Sequence, residues 1–163
     1  MGIVDHTLPA PKGLLQVQVI LDVGVGIRPV RWYRPTRHIC IEPFEPYCRI
    51  LRTAGYEVVQ ATASDALREL RGDAVYLLDV IEHMEKPVGL EVLELAKQAA
   101  RYQVVVYTPN GFRAQSRDVW GLGGDEWQTH RSGWTPEEFE GWDVECFLEE
   151  GFFALWNHHS TPS

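Results

Sequence analysis

The sequence predicts an α/β fold: a doubly wound sheet of seven strands, mostly parallel, with a terminal antiparallel hairpin. Three observations predict it. Short apolar runs alternate with segments of helical period, the pattern of a parallel sheet covered by helices. Two runs, Ala74-Val-Tyr-Leu-Leu78 and Gln103-Val-Val-Val-Tyr107, are apolar almost throughout, as strands buried on both faces are. Glycine and proline punctuate the ends of the runs. At 163 residues the chain is long enough for one core and too short for two, so 1–163 reads as a single domain.

The elements follow in order. The first strand is predicted over 17–23 and closed by Gly24; the second, over 38–42, is halted by Pro43. A helix is expected over 45–54 with Gly55 as its terminator. A short strand at 57–60 precedes a helix over 64–70 with Ser64 as its cap. After the strand at 74–78, residues 87–100 place Val88, Val92, Leu95, Ala96 and Ala99 on one helical face, with Pro87 near the start. The strand at 103–107 ends in Thr108-Pro-Asn-Gly111. Residues 112–134 carry no period and read as a long functional loop. Thr135-Pro-Glu-Glu138 reads as a helix start, with acids near the positive end of the helix dipole. The hairpin pairs 143–148 with 152–156.

Composition bounds the function. Fifteen Lys and Arg against 23 Asp and Glu give a net charge of −8, which disfavours an extended nucleic-acid surface and favours a small-molecule partner. Arg28, Arg31, Arg34 and Arg37 cluster within ten residues and read as solvated loop charges. No apolar run approaches the roughly 20 residues that span a bilayer, and residues 1–16 read as a short extension without a secretory pattern. Three widely spaced cysteines fit neither a disulfide framework nor a paired-cysteine zinc site; a reducing cytoplasm is the expected setting.

Ligands in such sheets sit outside the carboxyl ends of the strands, where strand order reverses. Asp22-Val-Gly24-Val-Gly26 follows the first strand, and its glycines let the backbone approach a ligand closely. Glu42 ends the second strand, where an acid can accept hydrogen bonds from both hydroxyls of a ribose. Asp79-Val-Ile-Glu82-His83-Met84 follows the fourth. Where a dinucleotide fold has its third glycine stands Arg28, followed by Pro29, which disfavours a nicotinamide-dependent dehydrogenase.

Leu21-Asp-Val-Gly-Val-Gly26, Ile41-Glu42, Leu78-Asp-Val-Ile-Glu-His-Met84 and Tyr107-Thr-Pro-Asn-Gly111 stand in order at suitable intervals. Together they resemble the class I S-adenosylmethionine-dependent methyltransferases, a Rossmann-like family, in the branch with Asp-Val-x-Glu-His after strand four. The resemblance runs from about residue 17 to the end. It implies S-adenosyl-L-methionine as cofactor, with Asp22, Gly24 and Gly26 under its methionine part, and Glu42 on the ribose. It further implies Ala63 and Asp65 beside the adenine, and Asp79 and Val80 where the cofactor meets the acceptor. His83 is the candidate catalytic base, needed only if the acceptor carries a proton. The loop 112–134 would cover an O or N acceptor, with Trp120, Trp127 and Trp134 either walling it or pinning the loop to the core.

The chain departs from that family in two ways. Pro29 and Pro35, in the eleven residues between Ile27 and Arg37, forbid a full first helix. The N-terminal part is too short for the usual capping helices, so a partner chain, as in a homodimer, is the expected completion of the pocket. Two alternatives follow: a binding module that keeps the fold without catalysis, and a metal-assisted 2′-O-methyltransferase of RNA ends. In the second, Asp79, Glu82, His83 and His130 resemble the two acids and two histidines of the small-RNA 3′-terminal methyltransferases, with Asp79 where that family has glutamate. The leading reading assigns no residue to a metal.

Overall fold

A computed structural model describes residues 8–147 and 150–158. Seven strands form one sheet: β1 (Val19–Val23), β2 (Arg37–Ile41), β3 (Glu57–Val59), β4 (Gly72–Leu78), β5 (Ala100–Pro109), β6 (Asp143–Phe147) and β7 (Gly151–Asn157). Their order is β3-β2-β1-β4-β5-β7-β6. The first five run parallel, and β7 pairs antiparallel with both β5 and β6. Strand order reverses between β1 and β4, which creates the crevice at their carboxyl ends.

Among the described residues four α-helices accompany the sheet: α1 (Glu45–Thr53), α2 (Ala63–Glu69), α3 (Lys86–Ala99) and the one-turn α4 (Asp125–Gln128). Proline near the start of α1 and α3 costs no internal hydrogen bond, because the first N–H groups of a helix have no partner within it. Thr62, rather than Ser64, caps α2: its side chain accepts from the Asp65 N–H, and Ser64 falls inside the first turn. Residues 136–138 form a single 3-10 turn instead of a helix, because Gly141 at φ 85° turns the chain into β6 within three residues.

The two faces of the sheet are covered differently. Leu21, Val23, Val75, Leu77, Val104 and Val106 meet α2 and α3 through Leu67, Val92, Leu93 and Ala96. On the opposite face, Ile20, Tyr76 and Phe153 meet Val30, Trp32 and Tyr33 from the segment linking β1 to β2. No helix forms there, as the two prolines require. The Trp32 ring lies 5.5 Å from Tyr76 and 6.0 Å from Phe153, and its Nε1 donates to the Leu8 carbonyl. Extended chain thus covers apolar surface that a helix would otherwise bury. Among the described residues no helix is long and apolar enough to cross a membrane.

Candidate functional site

A cavity of about 330 Å³ opens at the carboxyl ends of β1, β2 and β4. Its floor is the turn after β1. Gly24 and Gly26 hold φ of 65° and 63°, a region that L-residues rarely adopt. The Gly24 N–H donates to the Ile41 carbonyl, which ties the turn to β2. A Cβ at Gly24 would meet Val80 Cγ2 at 2.9 Å, and one at Gly26 would meet Trp120 Cη2 at 2.2 Å. Both turns therefore require glycine twice over, for conformation and for space. Arg28 and Pro29 line the cavity without closing it.

Glu42 stands at the end of β2 and is buried. Its Oε1 accepts from the Gly26 N–H at 3.1 Å and its Oε2 from the Phe44 N–H at 2.8 Å. Burial pushes its carboxyl up to about 7, against the opposing pull of the bonds from Phe44 and Gly26. Each oxygen keeps a lone pair for a ligand donor.

The segment after β4 supplies the third wall. Asp79 turns the chain at φ 55°, and Asp79, Val80, His83 and Met84 all line the cavity. Behind them Glu82 is buried and its Oε1 accepts from Thr108 Oγ1 at 3.2 Å. Burial and the neighbouring Asp79 carboxyl push Glu82 well above the usual carboxylate range; burial raises Asp79 as well. Burial and the nearby His130 push His83 down to about 4, which leaves its imidazole neutral at physiological pH.

His130 arrives from the loop, its ring 4.8 Å from that of His83. Its Nδ1 lies 2.6 Å from the Arg113 carbonyl, which can only accept, so Nδ1 carries the proton and Nε2 the lone pair. Glu82 Oε2, His83 Nδ1 and His130 Nε2 are all buried with no hydrogen-bond partner. The ligating atoms of these three residues lie within 4.8 Å of one another.

The loop 112–134 closes the rim. Asp118 organises it by accepting from the N–H groups of Trp120, Leu122 and Gly124 at 2.8–3.0 Å. Trp120 then lies edge-on to Tyr47, with ring centroids 5.3 Å apart, above the Gly26 turn. Trp120, Trp127 and Gln128 line the cavity. Trp134 does not. It is fully buried against Gly89 of α3, with Nε1 bonded to Ser132 Oγ at 2.9 Å. Of the three tryptophans, two wall the cavity and one pins the loop.

No protein-family model and no curated protein matches the chain in sequence. Solved structures do resemble it. A SAM dependent methyltransferase from Archaeoglobus fulgidus superposes with a TM-score of 0.61 at 15% identity, over 86% of each chain. The methyltransferase domain of bacterial CtHen1-CN gives 0.58 at 16% identity, over 86% of this chain and 90% of that one. Magnesium protoporphyrin IX methyltransferase (ChlM) from Synechocystis PCC 6803, solved with bound SAH, gives 0.57 at 10% identity, over 85% and 73%. The fold is that of the class I S-adenosylmethionine-dependent methyltransferases.

Within this methyltransferase fold the residues singled out from sequence fall into two groups. Asp22, Gly24, Glu42, Ala63, Asp79, Val80 and His83 line one cavity. Gly26 lies just behind the lining, where its N–H holds Glu42 and its bare Cα seats Trp120. Asp65 does not line the cavity: its side chain is exposed on the first turn of α2, and Thr62 and Ser64 flank Ala63 in the wall instead. Sequence reasoning missed Tyr47 and Gln128, which no motif marks. Val88, counted in the apolar stripe of α3, is 42% exposed and faces the cavity; Gly89 and Leu93 take its place in the core.

Proposed function

We propose that the protein binds S-adenosylmethionine in this cavity and transfers its methyl group to an oxygen or nitrogen atom of a small-molecule acceptor. The observation that carries this reading is the Glu42 carboxyl, buried at the tip of β2 and lining a cavity at the switch point of the sheet. Glu42 would accept from the ribose hydroxyls. Asp22 and the Gly24 turn would lie beneath the methionine part, and Thr62, Ala63 and Ser64 would flank the adenine. The remaining wall, Met84, Val88, Trp120 and Trp127, is predominantly apolar and suits a small acceptor with an apolar or aromatic body.

The cofactor, when bound, supplies a methyl group already activated on a sulfonium. The chain's task is then to align an acceptor lone pair and to exclude water. Trp120 and Trp127 do the excluding. His83, neutral and in the cavity wall, takes the proton of a hydroxyl acceptor; an amine acceptor needs no such base. Calorimetry with S-adenosylmethionine and with S-adenosylhomocysteine, followed by transfer of a labelled methyl group to a panel of alcohols, phenols and amines, tests the reading. Binding with turnover supports it. Binding without turnover on any acceptor favours the non-catalytic module, and no binding of either compound removes the enzyme reading.

A second reading is favoured by the three unpartnered atoms on Glu82, His83 and His130. Buried polar atoms left unpaired are costly, and two imidazoles with a Glu82 that gives up its proton on binding suit a divalent transition metal. Those three residues would hold the cation, with Asp79 beside them, and it would acidify an acceptor hydroxyl such as a sugar 2′-OH. The Arg113 carbonyl already orients His130, as the outer partner of a metal-bound histidine does. Titration with Mn²⁺ followed by paramagnetic broadening of the histidine ring signals tests this. Saturable broadening that Glu82→Gln weakens at least about 10-fold is expected; broadening unaffected by that change would refute the site.

A further inference from the structure

A second cavity, about 440 Å³ and lined mainly by polar surface, opens at the start of β2. Arg31, Arg34, Arg37 and His38 line it, together with the Gly55-Tyr56-Glu57 turn. Three arginines thus face one carboxylate in a chain whose net charge is −8. Arg37 grips Glu57 through two hydrogen bonds, at 2.5 and 3.0 Å, which neutralises that carboxylate. Arg31 lies over the Tyr56 ring at 4.7 Å, and neither Arg31 nor Arg34 makes an ion pair among the described residues. The second independent observation is His38. Its side chain is only 4% exposed, Nε2 meets Asp22 Oδ2 at 2.8 Å, and Nδ1 is buried without a partner. A buried polar atom left unpaired is costly, and a ligand atom would satisfy it.

We propose that this cavity binds a phosphate group and that its occupancy strengthens cofactor binding through the Asp22–His38 pair. Arginine forks match phosphate oxygens, and the unpartnered Nδ1 of His38 lies beside them while its Nε2 meets Asp22. The pair bridges β1 and β2, because Asp22 lines the first cavity and His38 the second. A ligand hydrogen-bonded to His38 fixes the orientation of its ring. The fixed ring in turn holds the Asp22 carboxyl in place, next to where the proposed cofactor carries its positive charges. Linkage makes the effect reciprocal. The coupling half of this inference rests on the cofactor reading; the phosphate half does not.

The test titrates the whole protein with inorganic phosphate and with glycerol phosphate by calorimetry at fixed ionic strength, the two probes separating free anion from phosphomonoester. Arg34→Glu reverses an exposed charge in the cavity, and Arg101→Glu does the same elsewhere on the surface. Saturable binding by the native protein, weakened at least about 10-fold by Arg34→Glu and little by Arg101→Glu, is the expected result. S-adenosylhomocysteine should then bind about three- to tenfold more tightly at saturating phosphate, and equally with or without phosphate in Arg34→Glu. No saturable binding of either probe, or equal weakening by both substitutions, overturns the phosphate site. An S-adenosylhomocysteine affinity indifferent to phosphate overturns the coupling. Failure of S-adenosylhomocysteine to bind at all strikes the cofactor reading, and the phosphate titration still decides the site.

Discussion

Replacing Glu42 by glutamine separates the charge of the proposed ribose clasp from its shape. The Glu42 carboxyl is raised from the ordinary 4.5 to about 7, because burial outweighs two backbone N–H bonds. Holding the charge there costs about 3 kcal/mol, at about 1.4 kcal/mol per tenfold change in equilibrium. Ribose hydroxyls would donate to the ionised form, so the ligand draws the proton off. Affinity for S-adenosylhomocysteine should therefore be level above about pH 7 and fall by up to about tenfold for each pH step below it. Glutamine has one acceptor oxygen for the Gly26 and Phe44 N–H groups and the ribose together, so it should weaken binding at pH 8 by about 1–3 kcal/mol. Its affinity should also lose the step near pH 7. For the unliganded protein the sign runs the other way: a raised folded-state value contributes stability that is present below 4.5 and lost as pH rises through about 7. The variant should therefore gain on the native protein by up to about 3 kcal/mol across that window. Calorimetry from pH 5.5 to 8.5 and denaturant unfolding at the same pH values measure both. A native affinity flat through pH 7, or a step that survives in the variant, refutes the assignment of Glu42 to the ribose.

Gly26→Ala should destabilise the fold by about 2 kcal/mol or more, since it strains a φ of 63° and drives Cβ into the Trp120 ring; a loss below about 0.5 kcal/mol in denaturant unfolding would contradict that packing. Gly89→Ala puts a Cβ 2.5 Å from Trp134 Cζ2 on the far side of the loop, and should cost about 1–3 kcal/mol with a change in the near-ultraviolet tryptophan signal. Asp118→Ala removes the acceptor for three loop N–H groups. Burial alone would raise Asp118, but Tyr47 and those N–H groups hold it below the usual carboxylate range. Hydrogen exchange should therefore quicken across 118–124 in the variant while the β4 and β5 amides stay protected; unchanged exchange would show that the loop does not depend on Asp118.

The strands and long helices were legible because one physical signal sets each of them. Parallel strands buried on both faces must be apolar throughout; the observed β4 begins two residues before the sequence run, and β5 extends its run to Ala100–Pro109. The glycine turn, Glu42 and the segment from Asp79 to His83 were legible for a related reason. Each sits at a strand end, and strand ends converge in this topology whatever the loops do. What sequence could not order were contacts that depend on the path of aperiodic chain. Trp120, Trp127 and Trp134 look alike in a row of letters, yet the Asp118 hub turns the first onto Gly26, and Ser132 draws the third into the core. His38 and Asp22 are similarly silent. His38 stands opposite Ile20 and Asp22 opposite Cys40, so the pair meets only diagonally across β1 and β2.

The missing first helix shows how the two cavities arise from one constraint. Pro29 and Pro35 keep the link between β1 and β2 extended. Its apolar residues Val30, Trp32 and Tyr33 still cover the sheet, so the fold keeps its core. An extended strap is thinner than a helix, however, and brings its charged residues close to the sheet edge. Arg28 consequently reaches the wall of the first cavity, and Arg31 and Arg34 the wall of the second. The same thinness leaves the glycine turn without a helical cover, and Trp120 fills that place from a loop almost a hundred residues downstream. Closure of the proposed cofactor site therefore depends on the loop 112–134. Anything that moves the Asp118 hub should alter retention of the proposed cofactor and access to its cavity together.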